Sequence, residues 1–321
     1  MKSTMAAVVV GLVGAIALAA PASAQKAKRV AFLDGPIADK YIGGMTRGFT
    51  DTAKAAGLDV SIVQSPFDPA LQAQQLDDAV ARKVDIIVLM AMSQKALVPA
   101  LTRAKEAHVP VVLINGTIPQ EELYTAFVGE DSAMLGQLAA QNMAEALKDR
   151  GPAKIAIVAG NMEEGIAPAR VAGFKKELEK HPNLSIVAIE ETHWAPPEAE
   201  RIAGQLLARF SAQGGLDGIY GMNDPLANGE VQGAQSAGVK LGTGKGDLVV
   251  VGGNCMAPGI ADIEQGTMYG TVAWSPVKMG SDAATTVKKI LDGETVPKKQ
   301  SGAMDTITKA NVAKYKAECV F

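Results

Sequence analysis

Asn223 and Asp224 are the residues whose types and position point most directly to chemistry. They stand where an apolar segment, 216–222, runs into a helical pattern that begins near Pro225. Ligands of open α/β sheets bind in the crevice at the carboxyl ends of the strands, so this junction is a candidate site. Asp224 is predicted to cap the helix and to leave the Asn223 amide free. An amide suits a neutral hydroxylated molecule; the alternative is that both residues serve only the turn and the cap.

Motifs for catalysis are missing from the sequence. It contains no phosphate-binding loop that ends in Lys-Ser or Lys-Thr, and no Gly-x-Ser-x-Gly elbow. The histidines, His108, His181 and His193, have no partner at metal-ligand spacing. Glu190 and Glu191 are adjacent at a strand end and point in opposite directions, which argues against acid–base work. We therefore predict a protein that is not an enzyme and that uses no metal and no cofactor.

The elements that must position Asn223 alternate along the chain. The first part is predicted to contain short apolar strands at 29–33, 58–63, 85–90, 109–114 and 125–128, and helices at 41–57, 69–83 and 94–107. After Asp131 the alternation starts again, with strands at 154–159 and 184–190 and helices to about 150 and at 167–180 and 197–210. Apolar strands that alternate with helices indicate parallel sheets covered on both faces. The sequence thus predicts an α/β fold with two doubly wound lobes.

The amino terminus has the pattern of a secretory leader. Lys2 precedes an apolar run at 5–20, and Ala22-Ser23-Ala24 stands directly before Gln25. This pattern predicts residues 1–24 as a signal peptide, cleaved after Ala24, and an exported product.

Net charge restricts the classes of binding partner that fit this sequence, and the two cysteines allow two structural states. The chain carries 31 basic and 34 acidic residues, a formal net charge of −3. This balance argues against nucleic acid or an anionic membrane surface as a partner. Cys255 and Cys319 would lie in an oxidising compartment, where they form either a disulfide or a pair of buried thiols.

Four local patterns follow one another in an order that one family shares. They are Arg170–Phe174, the Asn223–Asp224 junction, Val249–Asn254 and Tyr269–Pro276. In this order they resemble the periplasmic sugar-binding proteins of ABC importers, of the ribose- and galactose-binding type. The resemblance covers nearly the whole mature chain and implies a periplasmic protein of the type I periplasmic binding protein fold, with two Rossmann-like lobes joined by a three-crossing hinge.

The same resemblance implies how the chain divides. The N-terminal lobe would comprise 29–130 plus 275–303, and the C-terminal lobe 131–274 plus 304–321. Closure of the lobes on a solute would create the surface that a membrane permease reads. We expect the protein to be a monomer.

Three predicted contacts of the N-terminal lobe follow its first strand. By resemblance, Asp39, Tyr41 and Ile42 occupy the places of a polar residue and two aromatic residues. Ile42 replaces one aromatic residue, so stacking from this lobe should be weaker. The alternative for Tyr41 is a place in a core stripe with Met45 and Phe49.

Two amides replace acids that the family uses. Asn115 and Asn254 stand where ribose or galactose binders carry aspartates, and Gly116 replaces an arginine. These changes remove charge-assisted partners for sugar hydroxyls and argue against ordinary ribose. Arg170 matches the ligand-binding arginine of the family; the alternative is a helix charge that faces solvent.

Trp194 and Trp274 are predicted to form flat walls of the site. An indole packs against the apolar face of a sugar while its N–H still donates a hydrogen bond. Each indole could instead fill the core.

The resulting prediction is a non-enzymatic protein that captures a small neutral polyhydroxylated solute, such as a sugar, polyol or cyclitol, and delivers it to a permease. Asp39 leaves room for an amino sugar. A chemotaxis or quorum-signal receptor with the same clamshell is the main alternative, and an exported enzyme is another. A ligand-responsive repressor would need a helix-turn-helix where this chain has its leader.

Overall fold

The structure of the protein is a computed structural model that describes residues 27–319, so the predicted leader and its cleavage site lie outside the described residues. Strands and helices alternate from the first strand onward. In chain order they are β1 (Arg29–Asp34), α1 (Lys40–Ala55), β2 (Asp59–Gln64), α2 (Pro69–Ala81), β3 (Ile86–Leu89), α3 (Val98–Glu106), β4 (Val111–Ile114), β5 (Ala126–Val128), α4 (Ser132–Ala146), β6 (Ala153–Ala159), α5 (Ile166–Leu178), β7 (Leu184–Glu191), α6 (Pro196–Ser211), β8 (Gly218–Gly221), α7 (Asp224–Ser236), β9 (Val249–Val251), α8 (Ala257–Gln265), β10 (Gly270–Val272), α9 (Pro276–Leu291), β11 (Lys299–Gln300), β12 (Thr306–Thr308) and α10 (Val312–Tyr315).

These strands form two six-stranded sheets. The first has the order β11-β5-β4-β3-β1-β2 and is parallel throughout. The second has the order β12-β10-β9-β8-β6-β7, and in it β12 runs antiparallel to β10. The predicted α/β class with doubly wound lobes is confirmed. We call the first sheet with its helices the N-lobe and the second the C-lobe.

The chain passes between the two sheets three times. It leaves the first sheet after β5, returns after β10, and leaves again between β11 and β12. Helix α9 packs against α1 and therefore belongs to the N-lobe. The strands β11 and β12 were not predicted from the sequence, because they are only two and three residues long and owe their form to pairing with β5 and β10.

Polar residues at the strand ends start the helices that follow. The side chains of Asp39, Asp68, Asp131 and Asn223 accept hydrogen bonds from backbone N–H groups in the first turns of α1, α2, α4 and α7. Such caps satisfy donors that a helix start leaves without a partner. They fix where each helix begins, and therefore which residues remain in the connection at the sheet edge.

Each lobe has its own apolar core. The four residues of β3 and of β4 are all buried, as expected for central strands of a parallel sheet. In the C-lobe the rings of Phe174 and Tyr220 stack with their centroids 4.8 Å apart. Separate cores allow each lobe to move as a unit, with motion confined to the connections between the sheets.

Cys255 and Cys319 form a disulfide in the structure, with their Cα atoms 5.0 Å apart. The bond joins the connection after β9 to the end of the described chain. Within residues 27–319, no helix is both long enough and apolar enough to cross a membrane. In the same range, no group of three or more His, Cys, Asp or Glu side chains is arranged to hold a metal ion.

Candidate functional site

A cavity lies where the carboxyl ends of the strands of the two lobes face each other. Eight of the nine residues predicted from the sequence line it: Asp39, Tyr41, Ile42, Asn115, Arg170, Trp194, Asn223 and Asn254. Seven residues that the sequence did not single out complete the lining: Phe67, Met90, Glu164, Ile166, Pro196, Pro225 and Met256. The cavity volume is about 100 Å³. At roughly 10–15 Å³ for each water, this space has room for about seven to ten waters, which excludes a chain of sugars.

The two lobes touch at the rim of this cavity. A Cβ atom on Gly165 of the C-lobe would overlap Nε2 of Gln94 and lie 3.1 Å from the carbonyl oxygen of Thr117, both in the N-lobe. A side chain at position 165 would have to displace the Gln94 amide and would press on the Thr117 backbone. The structure therefore holds the clamshell closed, with the cavity between the lobes.

Several cavity residues have a left-handed backbone, which non-glycine residues rarely adopt. Phe67, Asn115, Trp194 and Asn254 have φ angles of 53°, 63°, 64° and 76°. Each stands one to three residues after a strand, and the turn aims its side chain across the sheet edge. Such conformations cost free energy and are concentrated at functional sites.

The Arg170 guanidinium is buried, and it is bound to Glu130 at the first connection between the lobes. Its Nε and Nη2 atoms donate to Oε1 of Glu130 at 3.0 and 2.5 Å, and Nη1 donates to the carbonyl oxygen of Met222. Oε2 of Glu130 accepts from Nδ2 of Asn254 at 2.9 Å. Burial lowers the pKa of Arg170, but the Glu130 carboxylate together with Tyr220 and Tyr41 holds this pKa above its ordinary value. The alternative of a solvent-facing helix charge is wrong, since Arg170 is 3% exposed.

The position of Arg170 depends on close packing of α4 against α5. A Cβ atom on Gly136 would overlap the backbone of Arg170, and one on Gly173 would overlap the backbone of Ala133. The two glycines therefore let the helices approach closely. This approach brings the arginine beside Glu130, which lies two residues before the start of α4.

The N-lobe contributes Tyr41, Asn115, Ile42 and Asp39 to the cavity. The Tyr41 hydroxyl donates to Oδ1 of Asn115 at 3.2 Å, and the ring of Tyr41 also packs against the N-lobe core. Tyr41 therefore lines the cavity and also packs with the core stripe of α1, and its contact with a solute stays a prediction. Ile42 is buried, and Oδ1 of the exposed Asp39 accepts the backbone N–H groups of Tyr41 and Ile42. Burial, followed by the charge of Glu130, raises the pKa of Tyr41, so its hydroxyl keeps its proton.

The cap assignment at the Asn223–Asp224 junction was wrong. Oδ1 of Asn223 accepts the backbone N–H of Leu226 and caps α7, which leaves its Nδ2 atom for the cavity. Asp224 is fully buried instead, and its carboxylate accepts from the Thr271 hydroxyl and the Met256 N–H, both at 2.6 Å. The correction has a tertiary cause, because both partners of Asp224 come from distant parts of the chain.

Trp194 and Glu164 form one wall of the cavity. Nε1 of Trp194 donates to Oε2 of Glu164 at 3.1 Å, and the guanidinium of Arg170 lies 5.6 Å from the centroid of the indole. Trp274 does not line the cavity. It is half-buried against the N-lobe core, near Gly302 in the third connection between the lobes, and its side chain lies within hydrogen-bonding reach of Tyr41.

Asp224→Asn is expected to stabilise the protein at alkaline pH. Burial raises the pKa of Asp224 from 3.8 to about 7. Since the native state holds this proton more tightly than the unfolded state, the contribution to stability is complete below pH 4 and is lost as the pH rises through 7. Asparagine needs no proton, and it can accept from the Met256 N–H and donate to the Thr271 hydroxyl. Melting from pH 4 to 8 should show a flatter profile, with a gain on the order of 2 kcal/mol at pH 8.

The matched control for this prediction is Asp51→Asn, which removes an exposed carboxylate from α1. Its pH profile should follow that of the unsubstituted protein. A profile for Asp224→Asn that is equally steep would contradict the prediction.

A comparison with known families decides where this fold and cavity belong. Residues 30–295 match the family model described as a periplasmic binding protein domain. The chain belongs to the periplasmic binding protein family. The resemblance inferred from the sequence is thereby confirmed.

Individual relatives of this periplasmic binding protein cover most of its length. It is 25% identical to a ribose import binding protein of Haemophilus influenzae over 301 residues, 93% of this chain and 96% of the relative. It is 29% identical to the D-allose-binding periplasmic protein of Escherichia coli over 258 residues, 78% of this chain and 79% of the relative. An ABC transporter solute-binding protein from Agrobacterium vitis, solved with bound D-fucose, superposes with a TM-score of 0.81 at 28% identity, over 91% of this chain and 100% of that one.

Sequence reasoning missed two acids of this periplasmic binding protein, Glu130 and Glu164. Glu130 stands two residues after the end of β5, a position at the sheet edge that signals a site residue. Glu164 lies in the connection between β6 and α5, and nothing in its sequence surroundings separates it from the neighbouring Glu163. Only packing distinguishes them, because Glu164 is buried and Glu163 is exposed.

Proposed function

We propose that this protein is the periplasmic substrate-binding component of an ABC importer and captures one small polyhydroxylated solute, a sugar, polyol, cyclitol or amino sugar. The observation that carries the proposal is the cavity between two touching lobes, lined by amides, one arginine, one indole and two acids. The ribose, D-allose and D-fucose named for its relatives belong to the same class of solute.

The cavity chemistry fits such a solute. The amides of Asn115, Asn223 and Asn254 offer neutral donors and acceptors, which match hydroxyl groups. Arg170 uses three of its five N–H groups on Glu130 and Met222, so two are left for a solute oxygen. Trp194 offers an aromatic face to the apolar side of a sugar ring. Since the lobes cover the cavity from both sides, bulk water has limited access to these polar contacts, and this strengthens them.

The proposal includes several statements about the whole protein. The lobes divide as 29–130 plus 275–303 and 131–274 plus 304–321, with the hinge in the three connections. The chain is exported after cleavage behind Ala24, acts as a monomer, docks on a membrane permease and leaves its solute chemically unchanged. Mass spectrometry of the exported protein, with Gln25 expected as the first residue, tests the export step. Light scattering tests the monomer.

A thermal-shift screen tests the binding function. The panel contains pentoses, hexoses, linear polyols, inositols and amino sugars, and each hit is measured by calorimetry. Binding to the native state at a thousand times Kd adds about 4 kcal/mol to the unfolding free energy, which gives a clear shift. Solute recovered unchanged after incubation is the expected result for a protein that is not an enzyme. If no member of the panel shifts the melting temperature, the proposed function is wrong.

Trp194→Ala is expected to lower the affinity for the tightest-binding compound of the panel by about 10–100-fold, because the indole face buries apolar area of the solute. Calorimetry on the purified variant provides the measurement. Tyr269→Ala is the matched control: it removes another half-buried ring that packs against the C-lobe core, so it should lower the melting temperature but leave the affinity within about threefold, because that ring lies outside the cavity lining. Equal losses of affinity in both variants would contradict this assignment.

A further inference from the structure

Glu164 presents an unsatisfied carboxylate oxygen at the wall of the cavity. The residue is 4% exposed and lines the cavity beside Trp194. Its Oε2 atom accepts from the indole and the Asn161 side chain lies close to the same carboxyl, whereas Oε1 is buried and receives no hydrogen bond of ordinary geometry among residues 27–319. A buried carboxylate oxygen without a donor is costly. The missing donor is therefore expected to come from the solute.

The charges around the cavity do not balance. The charged side chains of the lining are Asp39, Glu164 and Arg170. Arg170 is paired with Glu130, so its single positive charge faces three carboxyl groups, those of Glu130, Glu164 and Asp39. Asp39 uses only Oδ1 to cap α1. With these carboxyls ionised, the described residues around the cavity carry more negative than positive charge. Such a site favours a positively charged solute.

We propose that the solute carries a protonated amine in addition to its hydroxyl groups, and that Glu164 is the residue that selects it. This inference rests on the proposed function. An ammonium group has three donors and no acceptor, so it can donate to Oε1 and neutralise the carboxylate at the same time. A hydroxyl group would satisfy the oxygen but leave the buried charge uncompensated. The amides and Arg170 then take the hydroxyl groups.

The titration of Glu164 gives the proposal a pH signature. Burial raises the pKa of its carboxyl to about 7; among the charged groups that face it, Arg170 lowers this pKa and Glu191 raises it. Glu191 in turn contacts the imidazole of His193 at 3.2 Å. An ammonium group binds the ionised carboxylate, so its affinity should fall by up to about tenfold per pH unit between pH 7 and 5. A neutral sugar should lack this dependence.

The experiment compares amines with hydroxyl compounds of the same shape. Calorimetry at pH 7.5 measures D-glucosamine against D-glucose, D-galactosamine against D-galactose, and an aminodeoxyinositol against myo-inositol. In at least one pair the amine is expected to bind at least about tenfold tighter than its neutral partner. The affinities of the same pair are then measured from pH 5 to 7.5 on the unsubstituted protein, so this test does not depend on whether a variant folds.

Glu164→Gln removes the charge but keeps the volume and an acceptor for the Trp194 N–H. It should weaken binding of the amine by at least about tenfold more than binding of its neutral partner. Glu163→Gln is the matched control, because it removes the same charge from an exposed neighbour outside the cavity lining. That variant should keep the amine preference.

The possible results separate the two proposals. If the neutral member binds as tightly as the amine in every pair that binds, or if Glu164→Gln keeps the preference, the amine proposal is overturned while the binding function stands. If no compound of the pairs and no compound of the wider panel binds, both the proposed function and the amine proposal are wrong. Amine preference with the predicted fall toward pH 5 supports both.

Discussion

Glu130→Ala is expected to lower the unfolding free energy by about 3–5 kcal/mol, since it leaves a buried arginine without its counter-charge. Solute binding should fall by on the order of a hundredfold or more. Glu130 accepts hydrogen bonds from Arg170, Asn254 and Ser132, and it sits in the first connection between the lobes. One carboxylate therefore positions two cavity residues from different elements. Denaturant unfolding and calorimetry measure the two losses separately.

Two further variants show whether the loss comes from the buried ion pair. Glu264→Ala removes an exposed acid that pairs with Lys316, and it should cost no more than about 1 kcal/mol. Glu130→Gln combined with Arg170→Gln removes both buried charges together. This double variant should regain much of the stability that Glu130→Ala loses, but not the solute binding. Near-normal stability and affinity in Glu130→Ala would show that the ion pair does not organise the site.

Gly165→Leu is expected to weaken solute binding by on the order of a hundredfold while the empty protein keeps its stability. A side chain at this position would occupy the space of Gln94 and press on the backbone of Thr117 across the rim. The backbone of Gly165 has φ −76°, which any residue adopts, so the substitution strains only the closed form. The open form should then be favoured, so closure around the solute would offset part of the binding free energy.

Small-angle scattering measures this effect directly. The unsubstituted protein should become more compact when saturated with its tightest panel member, and Gly165→Leu should not. Gly151→Leu is the matched control, because that exposed glycine precedes β6, at the opposite end of the sheet from the cavity, and has open space around its Cβ position. Normal affinity and normal compaction in Gly165→Leu would show that this contact does not limit closure.

The two predictions concern different links between the lobes. Glu130 lies in a connection that both forms of the clamshell share, so its loss should affect stability and binding together. The contact of Gly165 exists only when the lobes meet. A substitution that blocks it should therefore weaken solute binding and leave the stability of the empty protein unchanged. The ratio of the two effects in each variant therefore distinguishes a residue that builds the site from one that permits closure.

The sequence by itself determined the alternation of elements and the set of side chains at the sheet edges. Apolar strands, capping residues and helix periodicity depend on neighbours along the chain, so they can be identified locally. This is why the strand ends at Trp194 and Asn223 were found as candidate positions. The family resemblance added six others: Asp39, Tyr41, Ile42, Asn115, Arg170 and Asn254.

Tertiary structure decided which of these side chains are paired and which are free for a solute. Arg170 and Asn254 meet Glu130 across 40 and 124 residues of sequence, and no local pattern specifies such contacts. Asn223 took the cap because distant partners, the Met256 N–H and the Thr271 hydroxyl, bind Asp224 in the interior. Glu163 and Glu164 are alike in sequence, and only the packing of Trp194 separates a solvated acid from a buried one. Burial and long-range pairing set the electrostatics of a site, and both are properties of the folded chain.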